Sequence, residues 1–273
     1  MKKITLILMA CAIVAMSSCG NRKKTAEQSQ LSDKDNFEIQ QLEANLQAQL
    51  DSIASLFCGK TNPLVSSIKS GKIELSESEK SIKPDYLIDP AKTSELTTLA
   101  QKYRAMSLLL LDSEIASLYG MPDDSYTAAL SKLVSDINDP ALKQYYKSSS
   151  SKSTEDLKEG ITNLYNDEVK NGRICLFWEM SGALTIETLY IMSQNIDKFT
   201  EGMTDSDADN LTYRLFLAKY CTDQLVAFYP EMESLSKALA PLDVLNAMDM
   251  AEFKQQLAEM KGQIEIIRNT LLD

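Results

Sequence analysis

The sequence predicts an all-α protein, a multi-helix bundle with long antiparallel helices. Three observations carry that prediction. Apolar residues recur at threes and fours over long stretches, no segment sustains the alternation of a strand, and Gly and Pro are scarce, at 9 and 7 of 273 residues. With 44% hydrophobic residues the chain can bury a core rather than stay disordered.

The elements follow in chain order. From Asn36 a single apolar stripe (Ile39, Leu42, Leu46, Leu50, Ile53, Phe57) marks the first helix, with Gly59 and Pro63 expected to end it. Leu64 to Asp89 is mixed and reads as loop with at most a short helix. Asp89-Pro90 is expected to open the next helix, because proline suits a first turn. Leu96, Leu99, Tyr103, Met106, Leu110, Ile115 and Leu118 form its stripe, and Gly120 stops it. Pro122 to Asn138 is a shorter helix, and Asp139-Pro140 begins another turn or two. The run 148–153 (SSSSKS) is the most linker-like stretch of the interior. It marks a possible subdivision, although six residues are an ordinary connection between two helices. Thr154-Glu155 starts a helix that breaks at Asn171-Gly172. Arg173 to Met192 is apolar on most sides, as a central helix is, and holds the only Trp, Trp178. Thr204 to Tyr229 is a further helix, stopped by Pro230, and a short one runs to Ala240. Pro241-Leu242-Asp243 is expected to start the last. There Phe253, Leu257, Met260, Ile264, Ile267 and Leu271 step by fours and threes, the spacing of an antiparallel bundle seam.

The first twenty residues, MKKITLILMACAIVAMSSCG, have a different character. Two lysines precede an apolar run too short to span a bilayer, and small residues lead into a cysteine. This is the layout of a secretory signal peptide. The ending Met16-Ser17-Ser18-Cys19 resembles a bacterial lipobox. That resemblance implies cleavage before Cys19, a diacylglyceryl group on its thiol and a further fatty-acyl chain, of the palmitate class, on the new amino terminus. Several acyl chains make a stable membrane anchor. The expected organisation is therefore a leader over 1–18, an acylated Cys19 with a flexible tether over 19–33, and a helical domain over 34–273. Gly20-Asn21-Arg22-Lys23-Lys24 lacks the acidic run that marks surface display in similar lipoproteins of the Bacteroides group, which implies the periplasmic face. Gly20 also lacks the aspartate that implies retention at the inner membrane in other lipoproteins, so the outer membrane is expected.

Segments KPDYLIDP (83–90), LAQKYRAMSLLLLDSEIASLYGMP (99–122) and LVSDINDPALK (133–143) resemble an uncharacterised family of all-helical lipoproteins from the Bacteroides group. The resemblance implies the same fold class and location. It brings no activity, because the matching segments hold no catalytic signature.

Composition narrows the function classes. With 28 Lys+Arg against 39 Asp+Glu the formal charge is −11, and loss of Lys2 and Lys3 with the leader makes it more negative. A nucleic-acid partner wants the opposite sign, so none is expected. The membrane is met through the lipid anchor alone. There is no histidine, which excludes Ser-His-Asp and Cys-His catalysis and every histidine-bearing metal site. Cys58, Cys175 and Cys221 are widely spaced and odd in number, so they imply no disulfide framework, and two of them sit inside apolar helical patterns.

Two candidates for chemistry remain. Asp205-Ser206-Asp207-Ala208-Asp209 looks like a calcium loop, but Asn210 and Phe216 stand where an EF-hand needs Gly and Glu. Acids at a helix start explain it better, and neither metal nor cofactor is expected. Glu179 and Glu187 lie in the apolar Trp178 helix, about 80° apart around the axis and about 12 Å apart along it. They are the candidates for a carboxylate-based hydrolase, whose paired carboxyls normally sit about 5–9.5 Å apart. The other expectation is a polar stripe paired with Arg or Lys of a neighbouring helix, since a buried unpaired carboxylate is costly. The leading expectation is a non-enzymatic binding or scaffold module of the cell envelope for a protein, peptide or small ligand.

Overall fold

A helix as apolar as Arg173 to Met192 needs neighbours on every side, and the fold supplies them. In the computed structural model, which describes residues 33–122, 124–151 and 153–272, there are twelve α-helices and no strand among the described residues. The expected leader, Cys19 and the expected tether up to residue 32 lie outside the described residues.

Helix α1 is Asp33–Cys58 and buries Leu50, Ala54, Phe57 and Cys58. Pro63 does not merely follow its end, as expected, but opens a second helix, α2 (Pro63–Lys69). Asn62 caps it, accepting from the N–H groups of Leu64 at 3.0 Å and Val65 at 3.4 Å. A single-turn helix, α3 (Glu77–Lys80), is closed by a Ser76/Glu79 capping box. Asp89-Pro90 opens only a 3₁₀ segment (Pro90–Glu95). The long helix α4 (Leu99–Leu118) starts later, at a Thr98/Gln101 capping box. Its end is as expected: Gly120 takes φ +62°, and the N–H of Met121 reaches back to Ala116 O at 3.0 Å.

Helix α5 (Asp124–Ile137) is followed by α6 (Pro140–Ser149), longer than the turn or two expected there. Asp139 caps α6 by accepting from Ala141 and Leu142. Ser153 caps α7 (Thr154–Lys170). α6 and α7 pack as a tight pair, because Gly160 has no side chain: a Cβ there would lie 2.9 Å from Ser148 Cβ. Gly172, at φ +67°, ends α7, and the N–H of Arg173 returns to Glu168 O at 2.8 Å.

Helix α8 (Ile174–Gln194) is the axis of the fold, with every residue buried from Ile174 to Ser193. It packs against α4, α7, α9 (Ile196–Phe199), α10 (Asp205–Leu225), α11 (Glu233–Leu239) and α12 (Met250–Asn269). By length and composition it could cross a membrane, but 94% of its most apolar window is covered by other helices. Trp178 and Phe177 stack edge-on with Phe57, which ties α1 to the axis. Gly182 lets Leu235 of α11 close in: a Cβ there would lie 2.9 Å from Leu235 Cδ2. The last helix begins at Met250, after a 3₁₀ segment (Ala240–Val244) where its start was expected. Its seam points inward, with Phe253, Leu257, Ile264, Ile267 and Leu271 buried and Met260 half-buried. Residues 45–272 form one compact unit.

Candidate functional site: buried charges and the Arg214 pocket

Both glutamates of α8 point into the core and each meets an arginine from another helix. Arg104 Nε of α4 stands 2.8 Å from Glu179 Oε2. The approach is off the hydrogen-bonding direction, so the pair is held by charge while both Glu179 oxygens lack a donor. Arg104 also donates to Leu271 O at 2.9 Å, tying α4 to the end of the chain. Burial pushes the Glu179 carboxyl above its usual range, and Arg104 works against that.

Glu187 has a better partner. Arg268 of α12 binds it with both prongs of its fork, Nε at 3.0 Å and Nη2 at 3.1 Å. The same guanidinium donates to Tyr86 O at 3.3 Å and lies 4.6 Å from the ring centre of Tyr190. Asp112 of α4 completes the cluster, 3.6 Å from Arg268 Nη2, and accepts from Ile88 N–H at 2.7 Å. Burial, then the charge of Glu187, push Asp112 well above the usual carboxylate range, against the pull of Ile88 N–H and Arg268. Two buried carboxyls thus face one guanidinium, with Glu187 the closer of the two. The sequence pair Glu179/Glu187 is therefore split between two arginines rather than brought together as a catalytic pair.

A third cluster was not singled out from sequence. Tyr103 O–H donates to Glu168 Oε1 at 2.7 Å and to Asp139 Oδ2 at 3.3 Å. Arg173 pairs with Asp139 and lies 3.0 Å from Glu168 Oε2. The α7 turn that brings Arg173 back to the carbonyl of Glu168 also brings their side chains together. Burial raises the Glu168 pKa to about 7; the Tyr103 hydroxyl opposes this, and the charge of Asp139 adds to it.

Arg214 is different in kind. It sits on the buried face of α10 among Leu211, Leu215 and Ala218, and is 4% exposed. Nη1 donates to Phe57 O at 3.1 Å and Lys60 O at 3.0 Å, which closes the C-terminal end of α1. The guanidinium lies 3.9 Å from the ring centre of Phe57. Its Nε is buried without an acceptor, and among the described residues no carboxylate pairs with it. Burial lowers its pKa to about 10, which leaves it charged at neutral pH. Arg214 lines a partly open cavity of about 50 Å³ with mostly apolar walls. The Cys58 thiol beside it is pushed up to about 12 by burial, and the Tyr145 hydroxyl likewise to about 12, so both stay neutral. Lys60 and Lys158 also line the cavity, Lys158 paired with Glu155 at 2.9 Å. A signal for Arg214 was present in the sequence: a lone cation on the apolar stripe Leu211, Leu215, Ala218.

The remaining candidates have structural duties. Asp207 accepts from Thr204 N–H at 2.8 Å and Asp205 from Met250 N–H at 2.9 Å. Among the described residues no group of three or more acidic or thiol side chains has the geometry to hold a metal ion. Cys58, Cys175 and Cys221 are buried free thiols. Compared with protein-family models, curated proteins and solved structures, the chain matches none.

Proposed function

We propose that this chain is an envelope lipoprotein, anchored through acylated Cys19 at the periplasmic face of the outer membrane, whose helical domain is a non-enzymatic binding module. The closure of the core over both α8 glutamates carries the reading. Glu179 and Glu187, the two carboxylates best placed in the sequence for hydrolysis, are 1% and 0% exposed and held by separate arginines. General acid–base work needs a carboxyl within reach of substrate, and neither glutamate lines the Arg214 cavity. That cavity, with a charge left uncompensated, is the feature a binding module needs.

Two measurements test the reading. Cys19→Ala should abolish fatty-acid labelling and move the protein out of the membrane fraction; equal labelling of both chains refutes the anchor. A ligand that raises the melting temperature should be recovered chemically unchanged. Turnover that disappears in Glu179→Gln or Glu187→Gln establishes the hydrolase instead.

A further inference from the structure

We infer that the Arg214 cavity is a binding site for a short aliphatic carboxylate, which supplies the missing counter-charge. The inference rests on the binding-module reading and gives it a ligand class. A buried cation without an anionic partner is costly, and among the described residues the other buried arginines each have one: Glu179 for Arg104, Glu187 and Asp112 for Arg268. Arg214 alone among them is compensated only by two carbonyls and an aromatic face.

The geometry selects among anions. Nη1 is taken by Phe57 O and Lys60 O and Nε has no acceptor, so the unused side of the fork is the Nε–Nη2 edge. That edge offers two parallel N–H groups, the fork that a carboxylate matches with its two oxygens. A phosphate would bring further charge, and of the two other cations on the walls Lys158 is already paired with Glu155 while Lys60 is exposed and lies over the Tyr213 ring. Asn62, the nearest amide, is already engaged: its Nδ2 donates to Thr188 Oγ1 at 2.8 Å and its oxygen caps α2. Val65, Ile161 and Leu184 line the cavity and suit an alkyl tail. Size sets the length. By this measure a water occupies about 10–15 Å³, so about 50 Å³ replaces a few waters. That is room for a carboxylate and one or two carbons, with any longer tail leaving through the mouth. Neutral Cys58 and Tyr145 add no competing anion.

The shared chemistry is a carboxylate on a short apolar stem, found in a free acid or at the C-terminus of a peptide. The test uses the full chain, carbon-13-labelled propionate, and acetyl-alanyl-alanine with a free or an amidated terminus. Propionate should bind saturably at one site and raise the melting temperature. Arg214→Met should weaken binding by about 10- to 100-fold, the scale of lost charge-assisted hydrogen bonds. That variant also uncaps α1, so Ile161→Phe provides the second arm: it fills the cavity, leaves Arg214 in place, and should abolish binding without unfolding the protein. Tight binding of the peptide acid, but not of its amide or of propionate, supports the site and assigns it to a chain terminus. Equal binding of chloride or inorganic phosphate overturns the assignment. Saturable binding of neither carboxylate also overturns it, while a binding module acting through another surface survives. Chemical conversion of bound propionate refutes the non-enzymatic reading and leaves the site standing.

Discussion

Replacing Arg268 with methionine is the sharpest probe of the core. The methionine fills much of the same volume, so the loss is chiefly electrostatic. It removes both prongs on Glu187, at 3.0 and 3.1 Å, the 3.3 Å bond to Tyr86 O and the cation over Tyr190. What remains is a fully buried Glu187 beside a fully buried Asp112, with no cation. Breaking a buried pair from one side costs about 3–5 kcal/mol. In a unit of this size about 1 kcal/mol moves the melting temperature by ~2–4 °C, so the midpoint should fall by ~6–20 °C. The double variant Arg268→Met/Glu187→Met should recover most of that loss, because two apolar groups in place of a buried pair are often neutral or better. Urea denaturation of the wild type, both single variants and the double gives the coupling energy directly. A loss under about 1 kcal/mol in Arg268→Met, with no recovery in the double variant, refutes the idea that this fork compensates Glu187.

Glu168 makes stability depend on pH in a stated direction. Its folded pKa, about 7, lies above the ordinary carboxylate value of 4.5, so the folded state holds a proton that the unfolded state gives up. The stabilisation is complete below about 4.5 and is lost as pH rises to about 7; Glu168→Gln should flatten that slope in denaturant titrations, and an unchanged slope refutes it. Ile264→Asp places a carboxyl at a fully buried position of the α12 seam. It should cost about 2–5 kcal/mol for the lost side chain and more for the charge, and normal stability with lost self-association or partner binding would move the function to that helix. Cys58, Cys175 and Cys221 are buried, and burial raises the Cys175 thiol to about 11, Cys58 to about 12 and Cys221 well above its usual range. Alkylation mapped by mass spectrometry should modify them only after unfolding, and rapid labelling of any one in the native protein contradicts the core assignment.

Helix spacing was legible because each stripe is a local property. The α8 axis and the α12 seam can be read from a single stretch of chain, and the structure buries both. Proline positions were less informative. Pro63 and Pro90 both follow a capping side chain, Asn62 and Asp89, yet one opens a seven-residue α-helix and the other a 3₁₀ segment. A proline at the first turn permits a helix without setting its length, and Leu96-Thr97-Thr98 interrupts the second case before the capping box restarts it. The charged core was only half legible. Glu179 and Glu187 stand out in an apolar helix, but Arg104 and Arg268 lie 75 and 81 positions away on α4 and α12, and no local pattern pairs them. Arg214 carried a local signal, a lone cation on an apolar stripe, but its lack of a carboxylate partner is a property of three dimensions.

Helix α8 has a consequence for how the chain is made. On the export route proposed above, the nascent polypeptide threads through a translocation channel that releases sufficiently greasy segments sideways into lipid. Residues 174–194 come close to that threshold by length and hydropathy. A charged side chain near the middle of such a segment costs about 2.5–3.5 kcal/mol on entering the bilayer. Glu179 and Glu187 therefore bias the segment toward passing through, before Arg268, the last of their partners, has been synthesised. On that route, the same two carboxylates that the folded core must neutralise would also disfavour its central helix as a membrane stop.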